Sequence, residues 1–117
     1  MQFDFNLFSK IAATAYPEEC EYTFAQCLEV FQYYFRVYES DLDRPHPPIR
    51  REQIARIMRE MPCIEMEDRG GSLEPLDPED YTLLIQQHFK TKYRNCNYNI
   101  NHFFSGRVRE LRHYEVE

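Results

Sequence analysis

Apolar residues recur at steps of three and four along residues 19–39. The repeating positions are largely aromatic: Phe24, Cys27, Leu28, Phe31, Phe35 and Tyr38. This spacing predicts an amphipathic α-helix, because such residues share one face of a helix with about 3.6 residues per turn. Burial of one Phe or Tyr side chain removes roughly 150–250 Å² from water. We therefore expect this helix to be central, with the other elements packed around it.

The same periodicity predicts four more helices, and their ends follow from prolines and capping residues. Pro17 ends the first helix, so that Glu18 and Glu19 would lie in the first turn of the central one. Asp77 and Pro78 are typical of the N-cap and first position of a later helix. The predicted helices span residues 5–15, 19–39, 49–61, 78–93 and 100–111.

These elements predict an all-α fold: a single domain over residues 1–117, built as a compact bundle of about five helices. The chain has the size of one domain, and its three glycines include no Asn-Gly or Asp-Gly turn signal for a hairpin. From residue 107 onward a strand is an alternative to the last helix. The predicted core contains Phe24, Leu28, Phe31, Phe35, Ile54, Ile57, Met58, Leu84, Ile85 and Phe104.

Residues 65–79 show no sustained period and are predicted to form one long acidic loop. The segment carries Gly70 and Gly71 and is rich in acids. A loop of this length in a small domain is usually functional or mobile. We expect it to be the most mobile internal segment of the chain.

Charge and cysteine content narrow the classes of function. The formal net charge is -6, which argues against a dominant polyanion-binding role. The N-terminus lacks the basic segment of a signal peptide, and no apolar run has the length of a membrane span. The four cysteines have no disulfide-framework spacing. We expect a cytoplasmic protein with reduced thiols and no membrane partner.

Candidate metal and catalytic groups are sparse. Cys96, His102 and His113 are near one another in sequence, and Cys20 and Cys27 could share a helical face, but paired Cys-x-x-Cys spacing is missing. Cys96 and His102 could form a nucleophile pair only if the fold brings them together. No hydrolase, phosphate-loop or zinc-protease motif occurs, and we predict no catalytic, cofactor or metal residue.

A nucleic-acid-binding role is the alternative function. Basic residues outnumber acidic ones from residue 81 onward, among aromatic residues that could stack on bases. Residues 95–99 form a short break between two predicted helices, as in a helix-turn-helix. Residues 111–115 resemble a five-residue fragment of MerR-type regulators, and the resemblance extends no further. The predicted contacts are Lys90, Lys92, Arg94, Arg107, Arg109 and Arg112.

The preferred hypothesis is a non-enzymatic interaction module that binds a protein partner or a second copy of itself. Phe and Tyr make up 15% of the chain, with nine of each and no Trp. Adjacent pairs such as Tyr33-Tyr34 and Phe103-Phe104 cannot both point to one side of a helix. We therefore expect some rings to be exposed, and exposed aromatic side chains are typical of interfaces.

Overall fold

The computed structural model describes residues 3–63, 65–67, 73–91 and 97–104. Within them the chain forms five α-helices, which confirms the predicted all-α bundle: α1 (Phe5–Ala15), α2 (Phe24–Leu42), α3 (Arg51–Glu60), α4 (Asp80–Lys90) and α5 (Ile100–Phe103). A single 3₁₀ turn, Met61–Cys63, continues α3. None of the helices in this part of the chain is long and apolar enough to cross a membrane.

The central helix α2 begins later than its apolar pattern predicts. The Oγ1 atom of Thr23 accepts a hydrogen bond from the Gln26 N–H at 3.1 Å, and the Gln26 side chain accepts one from the Thr23 N–H at 2.8 Å. This reciprocal capping box satisfies two donors at the helix start. The prediction that Glu18 and Glu19 lie in the first turn is therefore wrong. The capping hydrogen bonds of Thr23, and not the spacing of apolar residues, determine where the helix begins.

Helix α2 contributes six residues to the core: Cys27, Val30, Phe31, Tyr34, Phe35 and Tyr38. Phe24 and Leu28 are half-buried, and the other predicted core residues are all buried. Phe8 of α1 packs edge-on against Phe31 and Phe35, with ring centroids 4.8 and 5.0 Å apart. The buried face is thus turned slightly from the predicted one, toward Val30 and Tyr34, because helices pack on α2 from more than one side.

Buried tyrosines connect distant parts of the chain through their hydroxyl groups. Tyr34 donates to the Tyr98 carbonyl oxygen at 2.5 Å, and Tyr81 donates to the Met61 carbonyl oxygen at 2.6 Å. Tyr22 donates in the same way to the carbonyl oxygen of Leu76. A buried hydroxyl without a partner would be costly, so each ring is placed where a backbone acceptor is available.

The predicted acidic loop contains a short antiparallel pair of strands, β1 (Glu65–Glu67) and β2 (Leu73–Pro75), with Met66 opposite Glu74. Strands of three residues are too short to produce a visible alternating pattern, so the prediction of a fully irregular segment is wrong. Residues 68–72 lie outside the described residues. The mobility of the segment stays a prediction.

The last two helices are shorter than predicted. Helix α4 begins at Asp80, whose Oδ2 atom accepts a hydrogen bond from the Asp77 N–H at 2.9 Å, and its N-cap is Glu79. It ends at Lys90, because Thr91 has an extended backbone. Helix α5 is one turn long, and residues 105–117 lie outside the described residues.

Candidate interaction surface

An apolar groove lies between α1 and the proline-containing segment 45–49. We call it the α1 groove, and its volume is about 330 Å³. Almost all of the groove is lined by apolar side chains, with one carboxylate at the edge. The lining residues are Phe3, Asp4, Leu7, Phe8, Ile11, Pro45, His46, Pro48 and Ile49.

Helix α1 forms one wall of the groove and presents Leu7 at its edge. Asp4 caps the helix by accepting a hydrogen bond from the Leu7 N–H at 3.0 Å. Phe8 is buried, and Leu7 is displaced from it by roughly 100° around the helix. Leu7 therefore emerges beside the core and is 55% exposed. Within the described residues, the other exposed large apolar side chain is Leu83, on α4.

His46 lines the groove, and a hydrogen bond connects its ring to α5. Its Nε2 atom accepts a hydrogen bond from the Ile100 N–H at 3.0 Å, so the proton of the neutral ring lies on Nδ1, 2.7 Å from the Pro47 carbonyl oxygen. The ring packs against Tyr38 and Phe35, with centroids 4.7 and 5.0 Å away. Burial lowers the pKa of His46 from 6.5 to about 4, only partly opposed by the hydrogen bond to Pro47.

Phe3 and Phe8 line the groove, but neither is an exposed ring. No Phe or Tyr among the described residues is exposed, so the prediction of exposed rings is wrong for this part of the chain. Phe103 and Phe104 are both buried, as is Tyr34, while half-buried Tyr33 accepts a hydrogen bond from the Gln86 side chain at 2.8 Å. Neighbouring rings can all be buried because they pack against different elements.

Leu7 was not predicted as an interface residue, because that prediction considered only exposed aromatic rings. A signal was present: Leu7 and Ile11 are four residues apart on α1, next to the buried pair Phe8 and Ala12. This makes the apolar face of α1 wider than its contacts with the core require. A helix with such a wide apolar face has an apolar edge that its contacts with the described core leave uncovered.

A second, larger hollow has a volume of about 590 Å³ and a more polar lining. Its lining includes the carboxylates of Glu21 and Asp77, together with Tyr22, Gln26, Pro62, Leu76 and Pro78. It has neither the continuous apolar lining nor the protruding apolar side chain of the α1 groove. We therefore regard the α1 groove as the candidate site.

The predicted nucleic-acid contacts fall mostly outside the described residues. Lys90 is exposed at the last position of α4. The other predicted contacts lie outside the described part of the chain: Lys92, Arg94, Arg107, Arg109 and Arg112. Whether these residues form one basic patch therefore stays a prediction.

The candidate metal and catalytic groups are only partly described. Among the described residues, no three His, Cys, Asp or Glu side chains are grouped so that they could hold a metal ion. His102 is half-buried on α5, whereas Cys96 and His113 lie outside the described residues. His88 is a fully buried core residue on α4, with its ring centroid 5.1 Å from that of Phe103.

The chain matches no protein-family model, no curated protein sequence and no solved structure. Its function is therefore inferred from the chemistry of its own surface.

Proposed function

We propose that this protein is a small, non-enzymatic interaction module that binds a second copy of itself through the α1 groove. The observation that carries the proposal is the exposure of Leu7 at the edge of an apolar hollow. Covering apolar surface of this kind is favourable by roughly 25 cal/mol for each Å² removed from water.

The α1 groove is suited to pairing with itself. A two-fold axis places the same patch of both copies face to face, so the patch must contain both a projection and a hollow. Leu7 supplies the projection, and the space bordered by Pro45, Pro48 and Ile49 supplies the hollow. Each copy could therefore insert its Leu7 beside the other's prolines.

The charges on α1 favour an antiparallel arrangement of the two copies. Asp4 and Lys10 lie three residues before and after Leu7, which is roughly 4.5 Å along the helix axis in each direction. In an antiparallel pair centred on Leu7, Asp4 of one copy is level with Lys10 of the other. A parallel pair would place like charges level. Both residues are exposed, and no ion pair is formed by either within the described residues.

Dilution of the purified full chain, followed by analytical ultracentrifugation, tests the proposal. We expect a reversible dimer, and we expect Leu7→Asp to abolish it. Full burial of a leucine contributes roughly 1.5–3 kcal/mol, and about half of this remains to be gained because Leu7 is 55% exposed. Two copies therefore contribute roughly 1.6–3.3 kcal/mol, which changes the dissociation constant by roughly ten- to two-hundred-fold. Leu83→Asp is the matched control, because Leu83 is similarly exposed at 48% but lies on α4. A monomeric wild type, or equal loss in both variants, would contradict the proposal.

The predicted charge pairing has its own test. Lys10→Glu should weaken the dimer, because it places a glutamate level with Asp4 of the second copy. Combining it with Asp4→Asn should restore part of the binding, since asparagine removes the repulsion and retains a side-chain oxygen that can cap α1. An exposed ion pair is worth only about 0–1 kcal/mol, so this effect should be smaller than that of Leu7→Asp. Failure of the double variant to recover would reject the antiparallel arrangement but not the groove.

A further inference from the structure

Residues 44–50, between α2 and α3, form an extended segment that contains three prolines. The ring of a proline fixes φ at about −65°, and a proline also disfavours helical backbone at the residue before it. Pro45, Pro47 and Pro48 together apply these restraints to most of the segment. Arg50, at its end, has a φ of -72° and a ψ of 150°. These angles are those of a polyproline II helix, and we infer that segment 44–50 follows this conformation.

The exposure of the side chains repeats every three residues, as this conformation predicts. A polyproline II helix has three residues per turn, so residues three apart lie along one edge. One edge faces the protein and consists of His46, which is 4% exposed, and half-buried Ile49. The other two edges are exposed to solvent except at Pro45, which is half-buried. Their residues are Arg44, Pro47 and Arg50 on one edge, and Pro45 and Pro48 on the other.

Hydrogen bonds from the buried edge hold the two exposed edges outward. The Nδ1 atom of His46 donates to the Pro47 carbonyl oxygen at 2.7 Å, and its Nε2 atom accepts from the Ile100 N–H at 3.0 Å. At the other end, the Nε atom of Arg44 donates to the Tyr38 hydroxyl at 3.2 Å. The segment is therefore fixed before any partner arrives, so that binding would cost little conformational entropy.

We propose that segment 44–50 is a docking site for a protein domain that binds polyproline II helices, such as an SH3 domain. Domains of this class bind proline-rich segments in a groove lined by aromatic side chains. The segment offers that groove the spacing Pro-x-x-Pro-x-Arg, with Pro45, Pro48 and Arg50 at the named positions. Arg50 is exposed and forms no ion pair in the described part of the chain, so its guanidinium is available to a carboxylate beside the partner's groove.

This docking site does not depend on self-association, although it shares one edge with the α1 groove. Pro45 and Pro48 also line the groove, whereas Pro47 and Arg50 do not. A domain bound to segment 44–50 and a second copy bound in the groove would therefore compete. Substitutions at Pro47 and Arg50 test the docking site alone, and Leu7→Asp tests the groove alone.

The probe is a panel of purified SH3 domains that bind Pro-x-x-Pro-x-Arg peptides. Each domain is titrated into the isotope-labelled full chain and followed by nuclear magnetic resonance. The titration uses both the wild type and Leu7→Asp, which removes competition from a second copy. We expect at least one domain to bind. The amide signals that shift should be those of Arg44, His46, Ile49 and Arg50, since the prolines between them have no N–H.

Two variants distinguish docking on this segment from contact elsewhere. Arg50→Glu should weaken binding roughly ten-fold or more, because it replaces an attraction to the partner's carboxylate by a repulsion. The fold should be retained, since a negative charge is favourable at the N-terminus of α3. Pro47→Ala should weaken binding roughly three-fold or more through loss of the ring and its restraint, while it keeps the carbonyl oxygen that accepts from His46. Arg36→Glu, exposed on α2, is the matched control and should bind as the wild type does.

The outcomes for the docking site and the α1 groove are distinguishable. The docking proposal is overturned if no domain of the panel binds in either background, if Arg50→Glu binds as tightly as the wild type, or if the shifted signals lie outside segment 44–50. A wild type that is monomeric yet binds a domain would reject self-association and keep the docking site. A wild type that forms the dimer while no domain binds it or Leu7→Asp would reject the docking site and keep the groove.

Discussion

His46 makes the stability of the fold depend on pH. Its imidazole is only 4% exposed, accepts the Ile100 N–H, and lies among the rings of Phe35 and Tyr38. Protonation of Nε2 would turn this acceptor into a donor facing another donor. It would also place a positive charge where burial leaves little water to solvate it.

The size of the effect follows from the two pKa values. The pKa of His46 is 6.5 as an ordinary side chain and about 4 in the folded chain. Above pH 6.5 the ring is neutral in both states, so there is no penalty. Between pH 6.5 and 4 the unfolded chain binds a proton that the folded chain does not, and stability falls. At about 1.36 kcal/mol for each unit of difference, the loss approaches roughly 3 kcal/mol by pH 4, below which both states are protonated.

Urea unfolding of the wild type and of His46→Gln, each at pH 7 and pH 4, measures this loss. Gln is neutral at both pH values and retains an oxygen that can accept the Ile100 N–H. Other groups titrate equally in both proteins, so the difference between the two pH effects isolates His46. We expect the wild type to lose about 2–3 kcal/mol more than the variant over this range. His102→Gln, which removes the half-buried imidazole of α5, is the control and should retain the wild-type dependence. Identical pH dependence in wild type and His46→Gln would refute the reasoning.

Other predictions test the core, the cap and the alternative function. Phe31→Ala should cost roughly 3–5 kcal/mol of unfolding free energy, since Phe31 is fully buried, and a loss below about 1 kcal/mol would reject α2 as the central helix. Thr23→Ala should cost about 1 kcal/mol by thermal denaturation, whereas Glu19→Gln, outside the helix, should cost little. If the chain binds DNA or RNA, binding should weaken steeply with salt, and joint substitution of Arg107 and Arg109 by Glu should abolish it without unfolding; absence of binding at low salt would reject this alternative.

The apolar pattern predicts the helices well because helix packing leaves a repeating signature along the chain. The buried Phe31, Phe35, Ile54 and Ile57 all follow from spacing alone. The errors of the prediction concern the residues at which the helices begin and end. Where α2 begins depends on the Thr23 hydrogen bonds, which compete with a pattern that continues on the N-terminal side. The short strands β1 and β2 leave no pattern at all.

The groove and the buried histidine depend on contacts between residues distant in sequence. His46 meets the Ile100 N–H across 54 positions, and α1 meets the segment 45–49 only in the folded chain. A single sequence shows which residues are apolar but not which will have a partner. It therefore predicts an interaction module from exposed rings, whereas the proposed surface has an exposed leucine beside a groove that half-buried Phe3 and buried Phe8 help to line.

The way in which the chain buries its aromatic rings explains why the exposed Leu7 beside the α1 groove is informative about function. A tyrosine can be buried when its hydroxyl finds an acceptor, and Tyr22, Tyr34 and Tyr81 each donate to a backbone carbonyl oxygen. Every Phe and Tyr side chain in the described part of the chain is thus buried or half-buried. Leu7 carries no polar group and could have been buried more easily, yet it is 55% exposed beside an apolar hollow. Within the described part of the chain, a bundle that leaves none of its rings exposed but leaves this leucine 55% exposed has an uncovered apolar edge, which is the surface we propose for a second copy.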